Sequence, residues 1–163
     1  MVQATFFRNF VFGVEDGLVS TVGMLSGIAS TALPQKDVVV AGTVLIFVEG
    51  FAMGVGTFLS ESSAADFMKR GVTRRGTSIG YGVVMFFSYL LAGFLILAPY
   101  LFLEKRVAFY LSIGLALTAL LALGIVGARV ARIKWLRNSL RMLLIGGGAI
   151  VLGIVVGRLV EGV

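Results

Sequence analysis

The sequence predicts an all-α integral membrane protein with five transmembrane helices. Of its 163 residues 58% are hydrophobic and 13% charged, about half the charged share of a soluble domain. Five apolar stretches are each long enough to cross roughly 30 Å of hydrocarbon at about 1.5 Å per residue. The links between them are too short for a further domain, so 1–163 reads as one transmembrane domain. The 22 Gly occur with only 2 Pro and no Gly-X-Y period, which excludes collagen-like and disordered chains.

The first span, 9–32, carries Glu15 and Asp16. Arg8 in front of it resembles a signal-peptide n-region, but the acids break the apolar run early and the run then continues too long, so it reads as a retained helix. The second span, 38–60, carries Glu49 at its centre, whereas 77–103 and 107–128 are uncharged. The fifth, 141–160, is flanked by Arg141 and Arg158, which can snorkel to the interface. Five crossings place the N-terminus and the links 61–76 and 129–141 on one side. That side holds Arg8, Lys69, Arg70, Arg74, Arg75, Arg129, Arg132, Lys134, Arg137 and Arg141. The other holds Lys36, Lys105, Arg106 and Arg158, and the imbalance makes the N-terminus cytoplasmic.

From Arg129 to Arg141 the bases recur about a turn apart, with Val130, Ile133, Leu136 and Leu140 between them. This predicts an interfacial helix on anionic headgroups, a basic loop that only fixes topology being the other reading. Glycines four apart (Gly13 and Gly17, Gly23 and Gly27, Gly50 and Gly54, Gly76 and Gly80, Gly153 and Gly157), with Gly56 beside them, predict close helix packing.

The chain has no Cys and no His, which removes disulfides, thiolate and imidazole ligands and a Ser-His-Asp triad. With no nucleophile-base set or cofactor motif, the chain does not read as an enzyme. The net charge of +6 is the kind that marks cytoplasmic loops, so no nucleic-acid partner is expected. Chemistry falls to carboxylates, hydroxyls and Met.

A carboxylate inside an apolar span needs a polar cavity or a partner. At about 100° per residue, Gly13, Ser20, Gly23, Gly27 and Ser30 lie within about 60° of Asp16, and Gly42, Met53, Gly56 and Ser60 within about 40° of Glu49. Two small, polar stripes, each with one acid, line a narrow path if they face each other. Oxygen ligands alone suit Mg²⁺ or Ca²⁺ as well as Fe²⁺ or Mn²⁺, and the Met53 thioether tilts the site toward the softer ions. Protons and metal compete for the same carboxylates, the minimum machinery of a metal/proton antiporter. The predicted path residues are Asp16, Glu49, Met53, Ser20 and Glu15. Structural readings stand beside these: Asp16 paired with Arg8 or a loop base, Glu49 as a protonated acid bonded between helices, Glu15 as an interfacial residue, and Met53 as core filler. Tyr81, Ser88 and Tyr89 read as packing and interface residues.

The segment FGVEDGLVSTVGMLSG, Phe12 to Gly27, resembles the first-helix signature of the vacuolar iron transporter family, F-G-x-x-D-G-L at the head of a Gly- and Ser-rich helix. Ala52 and Met53, then Gly56, Phe58, Ser60, Ser62 and Ser63, are similar to that family's S-M-x-x-G-E-Y-x-S stretch. The resemblance implies a homodimer with its first helices near the axis, moving Fe²⁺, and often Mn²⁺, out of the cytosol against protons. It matches Asp16 to the family's first-helix aspartate and Met53 to its second-helix methionine, both on the path. Thr57 stands where the family has Glu, a loss for which Glu49 could substitute at another depth. Many members carry a long Glu-rich region between helices 2 and 3, whereas here the link offers only Glu61 and Asp66, a reduced cytoplasmic access site. Metal delivery by a separate soluble donor protein is the other source. The expected location is a prokaryotic plasma membrane, otherwise an organelle membrane. The rival functions are a non-transporting membrane anchor or assembly subunit and a proton-coupled carrier of another small cation.

Overall fold

A computed structural model describes residues 2–67 and 75–162 of the chain. It consists of α1 (Val2–Ala29), α2 (Gln35–Phe67), α3 (Arg75–Phe102), α4 (Lys105–Ala131) and α5 (Trp135–Glu161). All five are long and apolar enough to cross a membrane, and the outside of the bundle requires one. Phe51 and Leu91, far from any helix end, are 65% and 70% exposed. Such a coat is unfavourable in water and neutral against acyl chains.

The core is built around α1, whose Leu18, Val22 and Leu25 are fully buried against Ile46 of α2, Ile96 and Leu97 of α3 and Leu120 of α4. The glycine ladder of α1 is what admits its neighbours. A Cβ on Gly17 would come 2.7 Å from the Tyr89 carbonyl of α3, and one on Gly27 equally close to the Gly153 carbonyl of α5. Gly13 meets Met85 and Ser88, Gly17 meets Tyr89 and Ala92, Gly23 meets Ala149, and Gly27 meets Gly153. Rising numbers pair with rising numbers, so α3 and α5 both run parallel to α1. On α2, Gly50 lies against Leu90 and Gly54 against Gly82 of α3, the antiparallel sense that short connections enforce.

The helices outrun their apolar cores. α1 begins at Val2, α2 continues to Phe67 and α5 begins at Trp135, so most of the link expected at 61–76 that is described is helix. Residues 68–74, with Lys69, Arg70 and Arg74 of the charge argument, lie outside the described residues. The interfacial helix expected from Arg129 to Arg141 does not form. α4 runs through Arg129, the chain turns at Arg132 in the left-handed region (φ 54°, ψ 39°), and α5 takes up Trp135 onward. The Ile133 amide donates to the Ala128 carbonyl at 3.0 Å, and Asn138 Nδ2 donates to the Gly124 carbonyl at 2.8 Å. The first bond satisfies a free carbonyl at the end of α4, and the second ties α5 back against the body of that helix. The bases form an exposed corner instead of one in-plane face.

At the opposite end, polar side chains strap the α1–α2 connection. Lys105 Nζ donates to the Thr31 and Leu33 carbonyls at 2.7 and 2.8 Å. Gln35 Nε2 reaches the Tyr100 and Leu103 carbonyls at 2.6 and 2.8 Å, and the Ala32 amide donates to Glu161 Oε1 at 2.5 Å.

Candidate functional site

Asp16 and Ser20 sit one turn apart on α1, Glu49 and Met53 one turn apart on α2, all four half-buried. Between the two helices stands Tyr89 of α3, fully buried. Its hydroxyl donates to Glu49 Oε2 at 2.6 Å and lies 2.5 Å from Ser20 Oγ, which in turn is 2.8 Å from the backbone carbonyl of Asp16. A phenol in mid-membrane needs polar partners, since no water is there to supply them. Tyr89 finds one on each neighbouring helix.

This row has a simple hydrogen count. Three contacts run from the Glu49 carboxyl through Tyr89 and Ser20 to the Asp16 carbonyl. With Glu49 ionised, Tyr89 donates to it and two hydroxyl hydrogens serve three contacts. A proton on Glu49 supplies a third hydrogen, and every contact becomes a hydrogen bond. Gain or loss of that one hydrogen turns the Tyr89 hydroxyl between Glu49 of α2 and Ser20 of α1, while Ser20 keeps its bond to the Asp16 carbonyl.

The Asp16 carboxylate makes no hydrogen bond or ion pair among the described residues. Arg8, its alternative partner on sequence grounds, is instead paired with Glu61 of α2. Glu15, the next residue round the helix, is half-buried. Among the described residues no three acidic side chains gather at one point, so one chain brings together two carboxylates, a phenol and a serine.

Met53 lines a separate cleft of about 330 Å³ between α1 and α2, with Arg8, Asn9, Phe12, Thr57, Ser60 and Glu61 around it and Glu49, one turn away, outside the lining. Asp66, expected with Glu61 at the access site, is exposed in the last turn of α2 outside this cleft, and among the described residues nothing joins it to Glu61. Contrary to the close packing expected of it, Gly56 meets no neighbouring helix among the described residues. A Cβ there would meet nothing within 4 Å, and the residue lines the same cleft. The small stripe of α1 is likewise not an open path facing α2, because Gly13 and Gly17 are filled by α3 and Gly23 and Gly27 by α5. One flank of it, at Ser20, Gly23, Met24 and Gly27, borders a broad apolar groove of about 910 Å³ shared with Leu152 and Val156 of α5.

The VIT family model matches residues 7–80 and 71–158, a stretch that includes every residue of the row and of the cleft. The chain belongs to the VIT family. It is 26% identical to vacuolar iron transporter homolog 5 of Oryza sativa subsp. japonica over 174 residues, covering 95% of this chain and 79% of that protein. It is also 29% identical over 72 residues to vacuolar iron transporter 1 of the same organism, covering 44% of this chain and 29% of that protein. The family resemblance of the first two helices thus extends along nearly the whole chain. Within this VIT family member, sequence reasoning picked out Asp16, Ser20, Glu49 and Met53 but passed over Tyr89, Arg8 and Asn9. A tyrosine amid uncharged apolar residues was the available signal for the first of these. The other two sit at the head of α1, where a base reads as topology and an amide as the edge of a span.

Proposed function

We propose that this chain carries a divalent transition-metal ion, Fe²⁺ and with it Mn²⁺, out of the cytosol in exchange for protons. The observation that carries this reading is the row from Glu49 to the Asp16 backbone: a membrane-embedded acid hydrogen-bonded through Tyr89 to a second helix, on which Asp16 has no hydrogen-bond or ion-pair partner among the described residues. Asp16 and Glu49 would hold the ion, with Ser20 and the Met53 thioether contributing, and protons would return by the same carboxylates. Membership in the VIT family and the names of the rice relatives support metal as the cargo.

Two carboxylates are few for a divalent ion. The working unit in this reading is a homodimer, α1 near its axis and the apolar α1–α5 groove facing the second copy, so that the acids act in pairs. In this reading the N-terminus lies in the cytosol, which the basic residues at that end of the bundle support, and the corner from Arg129 to Arg141 rests on anionic lipid. Export is then out of the cell in a prokaryotic plasma membrane, or into the lumen in an organelle. Metal reaches the protein free or from a soluble donor.

The test is the purified chain in sealed vesicles with a pH-sensitive dye. Added Fe²⁺ or Mn²⁺ should drive proton movement in the opposite direction, and Asp16→Asn should abolish it. Metal flux that persists in Asp16→Asn removes that residue from the path, and wild-type vesicles that move neither metal nor protons end the reading.

A further inference from the structure

The cleft between the first turns of α1 and the last turns of α2 is filled at its rim by a side chain of the protein itself. Arg8 Nη2 pairs with Glu61 Oε1, among the described residues the one ion pair in the chain. The two partners are held very differently. The Glu61 side chain is 20% exposed and sits in the cleft wall, whereas that of Arg8 is 66% exposed and reaches in from water. Release of the base costs little; release of the acid would uncover a charge in a partly dry wall.

Two further observations mark the cleft as a receiving site. Asn9 is 5% exposed and lines it, yet its Nδ2 has no hydrogen-bond partner among the described residues. Buried amides are nearly always satisfied, and the carbonyl oxygen of the same side chain is the kind of acceptor that the outward-pointing hydrogens of a hydrated cation's water shell require. Gly56 keeps room at the same place, and Met53 forms the inner part of the wall one turn from Glu49.

We propose that Arg8 is a tethered cation occupying the place of an incoming divalent ion on Glu61. The ion displaces the guanidinium into water, is held by Glu61 with its aqua ligands on Asn9 and Ser60, and passes by way of Met53 toward Glu49. This rests on the transport reading above and adds to it a built-in competitor that sets how much free metal is needed before the protein loads.

The experiment uses the full chain in proteoliposomes with Mn²⁺, offered on the side of Arg8, and compares wild type, R8Q, R8K, E61Q and R8Q/E61Q. R8Q should lower the half-saturating Mn²⁺ concentration by about two- to fivefold, the scale of one exposed ion pair. R8K, which keeps the charge, should shift it less. E61Q should raise it, and R8Q should have no further effect in the E61Q background. An R8Q value equal to or above wild type, or an equal R8Q effect with and without Glu61, overturns the proposal. If the wild type moves no metal, the transport reading fails separately. Mn²⁺ binding to the same five proteins in detergent, followed by the paramagnetic signal of the free ion, then decides: the same order of affinities sustains the competitor, any other order rejects it. Melting curves of each variant guard against a loss of fold passing for a loss of affinity.

Discussion

Tyr89 Oη lies 2.6 Å from Glu49 Oε2, and through this one phenol the acid of α2 is joined to α1, a helix it does not otherwise bond. Tyr89→Phe keeps the ring, its burial and its packing and removes only the hydroxyl. The vesicle assay should show metal-driven proton flux reduced about tenfold or more, because a buried hydrogen bond to a charged group is worth ~1.5–3 kcal/mol. Ser20→Ala, which breaks the row one link later, should give a smaller loss. Full activity in both variants would separate the row from transport.

Met53→Leu conserves volume and removes the sulfur. The half-saturating concentrations of Fe²⁺ and Mn²⁺ should rise by about tenfold, with little effect on competition by Mg²⁺, an ion indifferent to thioethers. Equal shifts for all three ions would make Met53 a packing residue.

Two glycines of similar spacing should behave oppositely. Gly17→Ala would drive a methyl toward the Tyr89 carbonyl and should destabilise the protein by about 1–3 kcal/mol. Gly56→Ala meets open space and should be neutral or stabilising by up to ~1 kcal/mol through helix propensity. Thermal melts in detergent read both.

Lys105→Met deletes both bonds that strap residues 31 and 33. Faster deuterium uptake across 30–34 and a loss of about 1 kcal/mol are expected, the strap being partly solvated. Uptake unchanged from wild type would show that Gln35 and Glu161 hold the connection unaided.

Apolar length alone was enough to mark the five spans, because a helix in lipid must satisfy its own backbone and cover it with hydrocarbon over a fixed thickness. Their ends were not legible. The first turns of α1 and the last of α2 mix Arg8, Glu61 and Asp66 with apolar residues, and what they meet there, Glu61 for Arg8 and Tyr81 of α3 for Phe6, lies on other helices. The 129–141 link followed the same pattern: its spacing suited a helix lying on a surface, but a left-handed residue at Arg132 split it, and no side-chain periodicity encodes that. Asp16 and Glu49 stood out because a carboxylate is conspicuous among Leu and Val. Tyr89 did not, since its reach depends on how α3 is rotated against two other helices. The glycines could be listed in advance, but which of them meets a neighbour and which faces a void, as Gly56 does, is a property of the assembled bundle.

The seam of Gly23 and Gly27 against Gly153 and Gly157 brings two backbones into direct touch with no side chain between them. Such a joint has no slack: neither helix can ratchet along the other without carbonyls colliding, so α1 and α5 behave as a single strut. Gly17 against the Tyr89 carbonyl ties α3 to α1 just as closely, so any rocking that exposes the acids first to one side of the bilayer and then to the other has to change the α1–α2 separation. Spin labels placed across α1 and α5 should keep their separation through a transport cycle while those across α1 and α2 do not.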